Sequence, residues 1–146
     1  MKIIFLDIDG VLNNWTLIQK YGIDIIADSL LNRLDFILTN TDAKIVLSST
    51  WRCKKSDLDI VKKRLKDFGF DNRFIGTTIE IEHSLRDDEI YEWLDRHKEV
   101  TRFAVLDDNA SIIGEDFGDS FFETDGEVGL TDEIAEKVIA HLNKIP

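Results

Sequence analysis

The stretch KIIFLDIDGVL, residues 2–12, opens on an apolar run suited to a parallel strand buried on both faces, then turns abruptly acidic. Asp7 and Asp9 stand at the mouth of that strand, and Gly10 marks a turn directly after them. Residues i and i+2 of an extended chain point the same way, so both carboxylates can face one ligand unless the backbone bends there. Two like charges this close are unfavourable without a cation or a shared proton, which points to a divalent-metal or acid/base site.

With 146 residues, 43% of them hydrophobic, the chain has enough apolar material for one domain, expected to span residues 1–146. The N-terminal apolar run is too short for a signal peptide and Asp7 interrupts it, while no apolar stretch approaches bilayer length. The expectation is a soluble, cytoplasmic protein with no membrane partner; its oligomeric state is left open. Cys53 is the single cysteine, so no internal disulfide forms, and it is expected to serve as a small packing residue.

The net charge of -11 opposes nonspecific attraction to nucleic acid and to anionic membranes. The charge is uneven. Residues 52–67 hold Arg52, Lys54, Lys55, Lys62, Lys63, Arg64 and Lys66 against Asp57, Asp59 and Asp67, whereas no Lys, Arg or His occurs between Asp107 and Glu136. A basic run of this kind is ordinarily a solvated helix face.

After the first strand, residues 13–27 show no clear period and are expected to form a loop. A helix follows, starting near Asp28 or Ser29 with Leu30, Leu34, Ile37 and Leu38 on one face. Residues 43–47 form a second buried strand. Ser56 and Asp59 have capping-box spacing, with Leu58, Val61, Leu65 and Phe68 at helical intervals and Gly69 as the stop. Residues 74–81 predict a short third strand running into a loop. Ser84 and Asp87 again suggest a capping box, which puts Arg86 in the first turn of a helix carrying Ile90, Trp93 and Leu94. Residues 102–106 predict another buried strand, residues 120–122 a short edge strand, and Thr131 the cap of a final helix. Apolar strands alternating with helices imply an α/β protein: a three-layer α/β/α sandwich around a mainly parallel, Rossmann-like sheet of about five strands.

In such sheets ligands bind at the carboxyl ends of the strands, near the point where the strand order reverses. Three predicted strands end in reactive side chains: Asp7 with Asp9, then Ser48, then Asp107 with Asp108. Oxygen ligands without His or Cys favour Mg2+ over Zn2+. Ser48, Arg52 and Arg86 supply donors of the phosphate-binding kind, Arg86 beside the positive end of a helix. Phosphoryl transfer follows as the reaction class.

These residues resemble, in order, the four motifs of the haloacid dehalogenase (HAD) superfamily of phosphohydrolases: DIDGVL from Asp7, the strand IVL ending in Ser48, Arg86 in RDDEIYEWL, and VLDD ending in Asp108. The resemblance implies that Asp7 is the nucleophile, forming an aspartyl-phosphate, and that Asp9 is the acid and base. It also implies that Mg2+ is held by Asp7, the Asp9 backbone carbonyl and Asp108, with Asp107 acting through water or as support. Ser48, or Ser49 if the strand ends one residue later, would bind a phosphoryl oxygen, and Arg86 would stabilise nucleophile and phosphate. Arg86 stands where Lys is commoner, and Val11 replaces the Thr often found after the glycine. Neither customary insertion point has room for a large cap domain. SSTWR, LDDN and TDGEVGLT also look like the compact members associated with RNA repair, where a phosphatase heals nucleic-acid ends.

The expected activity is therefore a Mg2+-dependent phosphatase for a polynucleotide 3′ or 5′ end. The alternatives are a phosphatase for a small ester or phosphoprotein, and a silent phosphate- or metal-binding module. Arg52 is divided between phosphate contact and solvated charge. Trp15 and Trp51 are expected to be packed in the interior rather than to stack on a base, and His83, His97 and His141 lack metal-like spacing.

Overall fold

Five strands form one all-parallel sheet: β1 (Lys2–Leu6), β2 (Lys44–Leu47), β3 (Phe74–Thr77), β4 (Arg102–Asp107) and β5 (Phe121–Glu123). The computed structural model describes residues 1–109 and 116–145. The spatial order is β3-β2-β1-β4-β5, so the chain winds outward from β1 in one direction, then returns to wind in the other. The order therefore reverses between β1 and β4, where an open parallel sheet leaves a crevice at its carboxyl edge.

The interior strands are apolar on both faces because helices cover both. Ile4, Leu6, Ile45, Leu47, Ala104 and Leu106 face one side, where they pack with α2 (Asp28–Thr39), α3 (Lys55–Asp67) and α5 (Asp132–Leu142). Ile3, Phe5, Val46 and Val105 face the other, packing against Ile90 and Trp93 of α4 (Arg86–Asp95) and against Phe117. The expected three-layer α/β/α architecture is present, with no large cap among the described residues.

Local details depart from the sequence reading. Residues 15–21 are not loop but a short helix, α1 (Trp15–Tyr21), whose N-cap Asn14 accepts from the Leu17 N–H and whose end is closed at Gly22, φ 101°. It buries none of its residues fully and so leaves no apolar period in the sequence. Ser56 does not cap α3. Ser49 instead caps a 3-10 turn, Thr50–Cys53, that feeds straight into the helix, and Asp59 receives Lys55 at 3.2 Å. In α4 the cap is displaced by one residue: Asp88 Oδ2 accepts from the Leu85 N–H at 3.3 Å, while Ser84 Oγ donates to the Ile81 carbonyl. Thr131 caps α5 as expected, accepting from the Ile134 N–H.

Candidate active site

Beyond the strands, the parallel ladder continues for one residue across the sheet. Ser48 N–H donates to the Leu6 carbonyl and Asp7 N–H to the Leu106 carbonyl, each at 3.0 Å. Thr78 N–H reaches the Leu47 carbonyl and Thr124 N–H the Asp107 carbonyl in the same way. Asp7, Ser48 and Asp107 are thus locked at one level. Strand alternation puts them on the face of Phe5, Val46 and Val105, which is the face that α4 covers.

That parity brings Arg86, the first residue of α4, onto the carboxylates. Its Nη1 lies 2.6 Å from Asp107 Oδ2 and 3.4 Å from Asp7 Oδ1. Asp107 is fully buried and its other oxygen accepts from the Asn109 N–H at 3.0 Å. Asp7, Asp107 and Asp108 each present a carboxylate oxygen within 4.8 Å of the others. Burial above all, and then the charge of Asp107, holds the Asp7 carboxyl well above its usual range, with Arg86 pulling the other way. The same two causes raise Asp108. Burial works against the Arg86 charge, but Asp7 and Asp107 outweigh it and raise its pKa.

This donor set fits a hard divalent cation. It consists of oxygens, it carries more negative charge than one arginine offsets, and room has been left beside it. Gly10, at φ +78°, leaves that room: a Cβ there would lie 2.3 Å from Asp108 Oδ2. Gly126 faces the same oxygen, at 3.2 Å from its own would-be Cβ.

Asp9 is not part of that three-carboxylate group and is exposed at the surface. Asn13 orients it, donating from Nδ2 to Asp9 Oδ1 at 2.9 Å, while Asn13 Oδ1 accepts from the Gly10 N–H at 2.9 Å. Thr124 Oγ1 donates to the Gly10 carbonyl at 2.7 Å and so ties β5 to the same turn. The sequence reading missed Asn13 and Thr124. Their signal was an amide within the turn and a Thr-Asp-Gly at the end of the strand beside β4.

Ser48 is fully buried and its hydroxyl has no hydrogen-bond partner among the described residues, which leaves it a free donor beside Asp7. Ser49, by contrast, uses its hydroxyl on the Trp51 N–H. The Arg52 side chain is only 5% exposed and forms a buried ion pair with Glu89 at 2.9 Å. Its remaining donors go to the carbonyls of Ser48, Ser49, Thr78 and Ile79, so all five guanidinium N–H groups are taken. Arg52 therefore fixes the loops after β2 and β3 around Ser48.

Trp51 is buried as expected, but Trp15 is 57% exposed, and Cys53 is exposed as well. Lys62, Lys63 and Lys66 gather around Phe74 at the amino end of β3, the opposite edge of the sheet from Asp7.

An open α/β sheet with acids clustered at its switch point, an arginine across them and a free hydroxyl alongside is the arrangement expected of a HAD-type hydrolase. The family described as "HAD domain in Swiss Army Knife RNA repair proteins" matches residues 3–135, and the chain belongs to that family. No curated protein and no solved structure matches it significantly. Among the described residues, no helix is long and apolar enough to cross a membrane.

Proposed function

We propose that this chain is a Mg2+-dependent phosphatase that removes a terminal phosphate from a polynucleotide 3′ or 5′ end through an aspartyl-phosphate on Asp7. The observation that carries the reading is the convergence of Asp7, Asp107, Asp108 and Arg86 at one strand-end crevice.

An Asp7 oxygen attacks phosphorus, the P–O bond to the ester breaks, and the leaving oxygen takes a proton from Asp9. Asp9 then accepts a proton from water as that water attacks the phosphoryl group, which releases orthophosphate and restores Asp7. Ser48 Oγ and Arg86 donate to the phosphoryl oxygens, whose charge grows in the transition state. The carboxylates of Asp7, Asp107 and Asp108, with the Asp9 carbonyl, would hold Mg2+, which offsets their charge and draws electron density from the phosphoryl oxygens. The Asn13 Nδ2 donor to Asp9 Oδ1 would hold that carboxyl in place for both proton transfers.

A polynucleotide end is favoured by the RNA-repair family and by the lack of a large cap over the site among the described residues. The test is phosphate release in Mg2+ from 3′- and 5′-phosphorylated oligoribonucleotides, nucleotides, sugar phosphates and a phosphopeptide. Higher kcat/KM on oligonucleotide ends is expected. Equal or better turnover of sugar phosphates or the peptide overturns the substrate assignment, and no turnover of any ester overturns the enzyme.

A further inference from the structure

Residues 13–27 carry large apolar side chains that the fold does not use. Trp15 is 57%, Tyr21 61% and Ile23 75% exposed. Trp15 is nevertheless firmly held by its backbone: its N–H donates to the Gly126 carbonyl at 3.0 Å, and Asn14 Nδ2 donates to the Val128 carbonyl at 3.0 Å. The ring thus stays in solvent on an anchored support. Trp15, Ile18 and Ile23 line a cavity of about 330 Å³ together with Asp9, Asp24 and Asp57, a volume within the range that holds small ligands.

We propose that this cavity receives the terminal nucleobase of the substrate, stacked on Trp15, on the leaving-group side of the phosphorus. The inference rests on the phosphatase reading, because Asp9 in the cavity wall is what brings the leaving oxygen there. The lining selects the occupant. An indole face is a stacking platform for a planar ring and the isoleucines suit its edges. The three carboxylates, with no Lys or Arg in the lining, repel a phosphate but not an uncharged base. The scissile phosphate itself lies beyond Asp9, toward Arg86, so base and phosphate meet opposite electrostatic surroundings.

The test compares wild type, Trp15→Ala and Trp15→Phe in Mg2+. The substrates are oligonucleotides phosphorylated at the 3′ or 5′ end, the same oligonucleotides with a stable abasic residue at that end, and a phosphotyrosyl peptide. The wild type should prefer the base-bearing end by roughly tenfold or more in kcat/KM, mainly through KM. Trp15→Ala should erase that preference and Trp15→Phe should restore most of it. Equal use of base-bearing and abasic ends by the wild type, or a preference that survives Trp15→Ala, overturns the inference while leaving the phosphatase reading intact. A larger Trp15-dependent preference for the peptide overturns it in favour of a tyrosyl ring. Failure to hydrolyse any of these esters overturns the phosphatase reading and the base site together.

Discussion

Arg86 Nη1 stands 3.4 Å from Asp7 Oδ1, and the same nitrogen is 2.6 Å from Asp107 Oδ2. One cation therefore answers two buried carboxylates. Arg86→Ala leaves both uncompensated and should lower stability by about 3–5 kcal/mol, read from urea unfolding without divalent cation. Under the proposed mechanism, kcat should fall about a hundredfold. Arg86→Lys, which keeps the charge and loses the fork, should recover part of each.

Asp7→Asn should abolish turnover and yet stabilise the metal-free protein. The folded-state pKa of Asp7 is raised, so below the ordinary carboxylate range the group is neutral in both states and costs nothing. As pH rises through the folded pKa, the folded state must carry a buried charge and stability is lost. The advantage of Asp7→Asn over wild type should therefore grow as pH rises above the ordinary carboxylate value of about 4, and Mg2+ should shrink it by stabilising the wild type. Taking the difference removes the opposing contribution of His141, whose pKa is lowered by burial and whose stabilisation is lost as pH falls below its ordinary value. Asp67 and Asp95, held low by Lys63 and Lys98 hydrogen bonds, act below this window. A gap between variant and wild type that stays constant with pH would contradict the assignment.

Gly10→Ala should damage both fold and site. The residue needs φ +78°, and its Cβ would lie 2.3 Å from Asp108 Oδ2 and 2.6 Å from Asp108 Cγ. A left-handed alanine costs on the order of 1 kcal/mol and the displacement of Asp108 adds to that. The expected result is a lower melting temperature and a loss of the thermal upshift that Mg2+ gives the wild type. Gly22→Ala is the control: its φ of +101° with ψ of 168° carries backbone strain of its own, but nothing beyond its chain neighbours lies within 4 Å of its would-be Cβ. It should lower stability while sparing the Mg2+ response.

Arg52→Ala should destabilise by about 3–5 kcal/mol, because it strands Glu89 in a buried pair whose side chains are 5% and 9% exposed. Glu89→Ala should do the same from the other side and also free the Ile81 N–H, which Glu89 accepts at 2.9 Å. If the guanidinium held substrate instead, Arg52→Ala would raise KM with little effect on unfolding. Equilibrium unfolding and KM measured on the same variants separate the two roles.

Most of the architecture was legible in the sequence because buried parallel strands are short and apolar and end in a sharp change of character. Leu6 to Asp7, Leu47 to Ser48 and Leu106 to Asp107 are such changes, and the observed register aligns all three. α1 was missed because a helix lying on the surface has no apolar stripe; only Asn14 and Gly22 announced it. The structural bonds of Arg52 were not legible because a guanidinium has the same letter whether it faces solvent or five acceptors, and its partners lie at residues 48, 49, 78, 79 and 89. The cap spacings at Ser56 and Ser84 failed because serine caps compete with neighbouring turns, here the 3-10 turn after Ser49 and the bond from Ser84 to Ile81. Asn13 and Thr124 act by fixing a turn, a role carried by geometry rather than by residue type.

The helix that carries Trp15 has no fully buried residue. Substitutions on its outer face therefore draw little on the stability of the sheet, while the strand-end acids are locked into the ladder and cannot change without consequence. If α1 holds the substrate base as proposed, recognition on that helix would be mechanically separable from the chemistry at the strand ends. Substrate preference could then be altered at Trp15 and its exposed neighbours with the strand-end acids and the sheet left untouched.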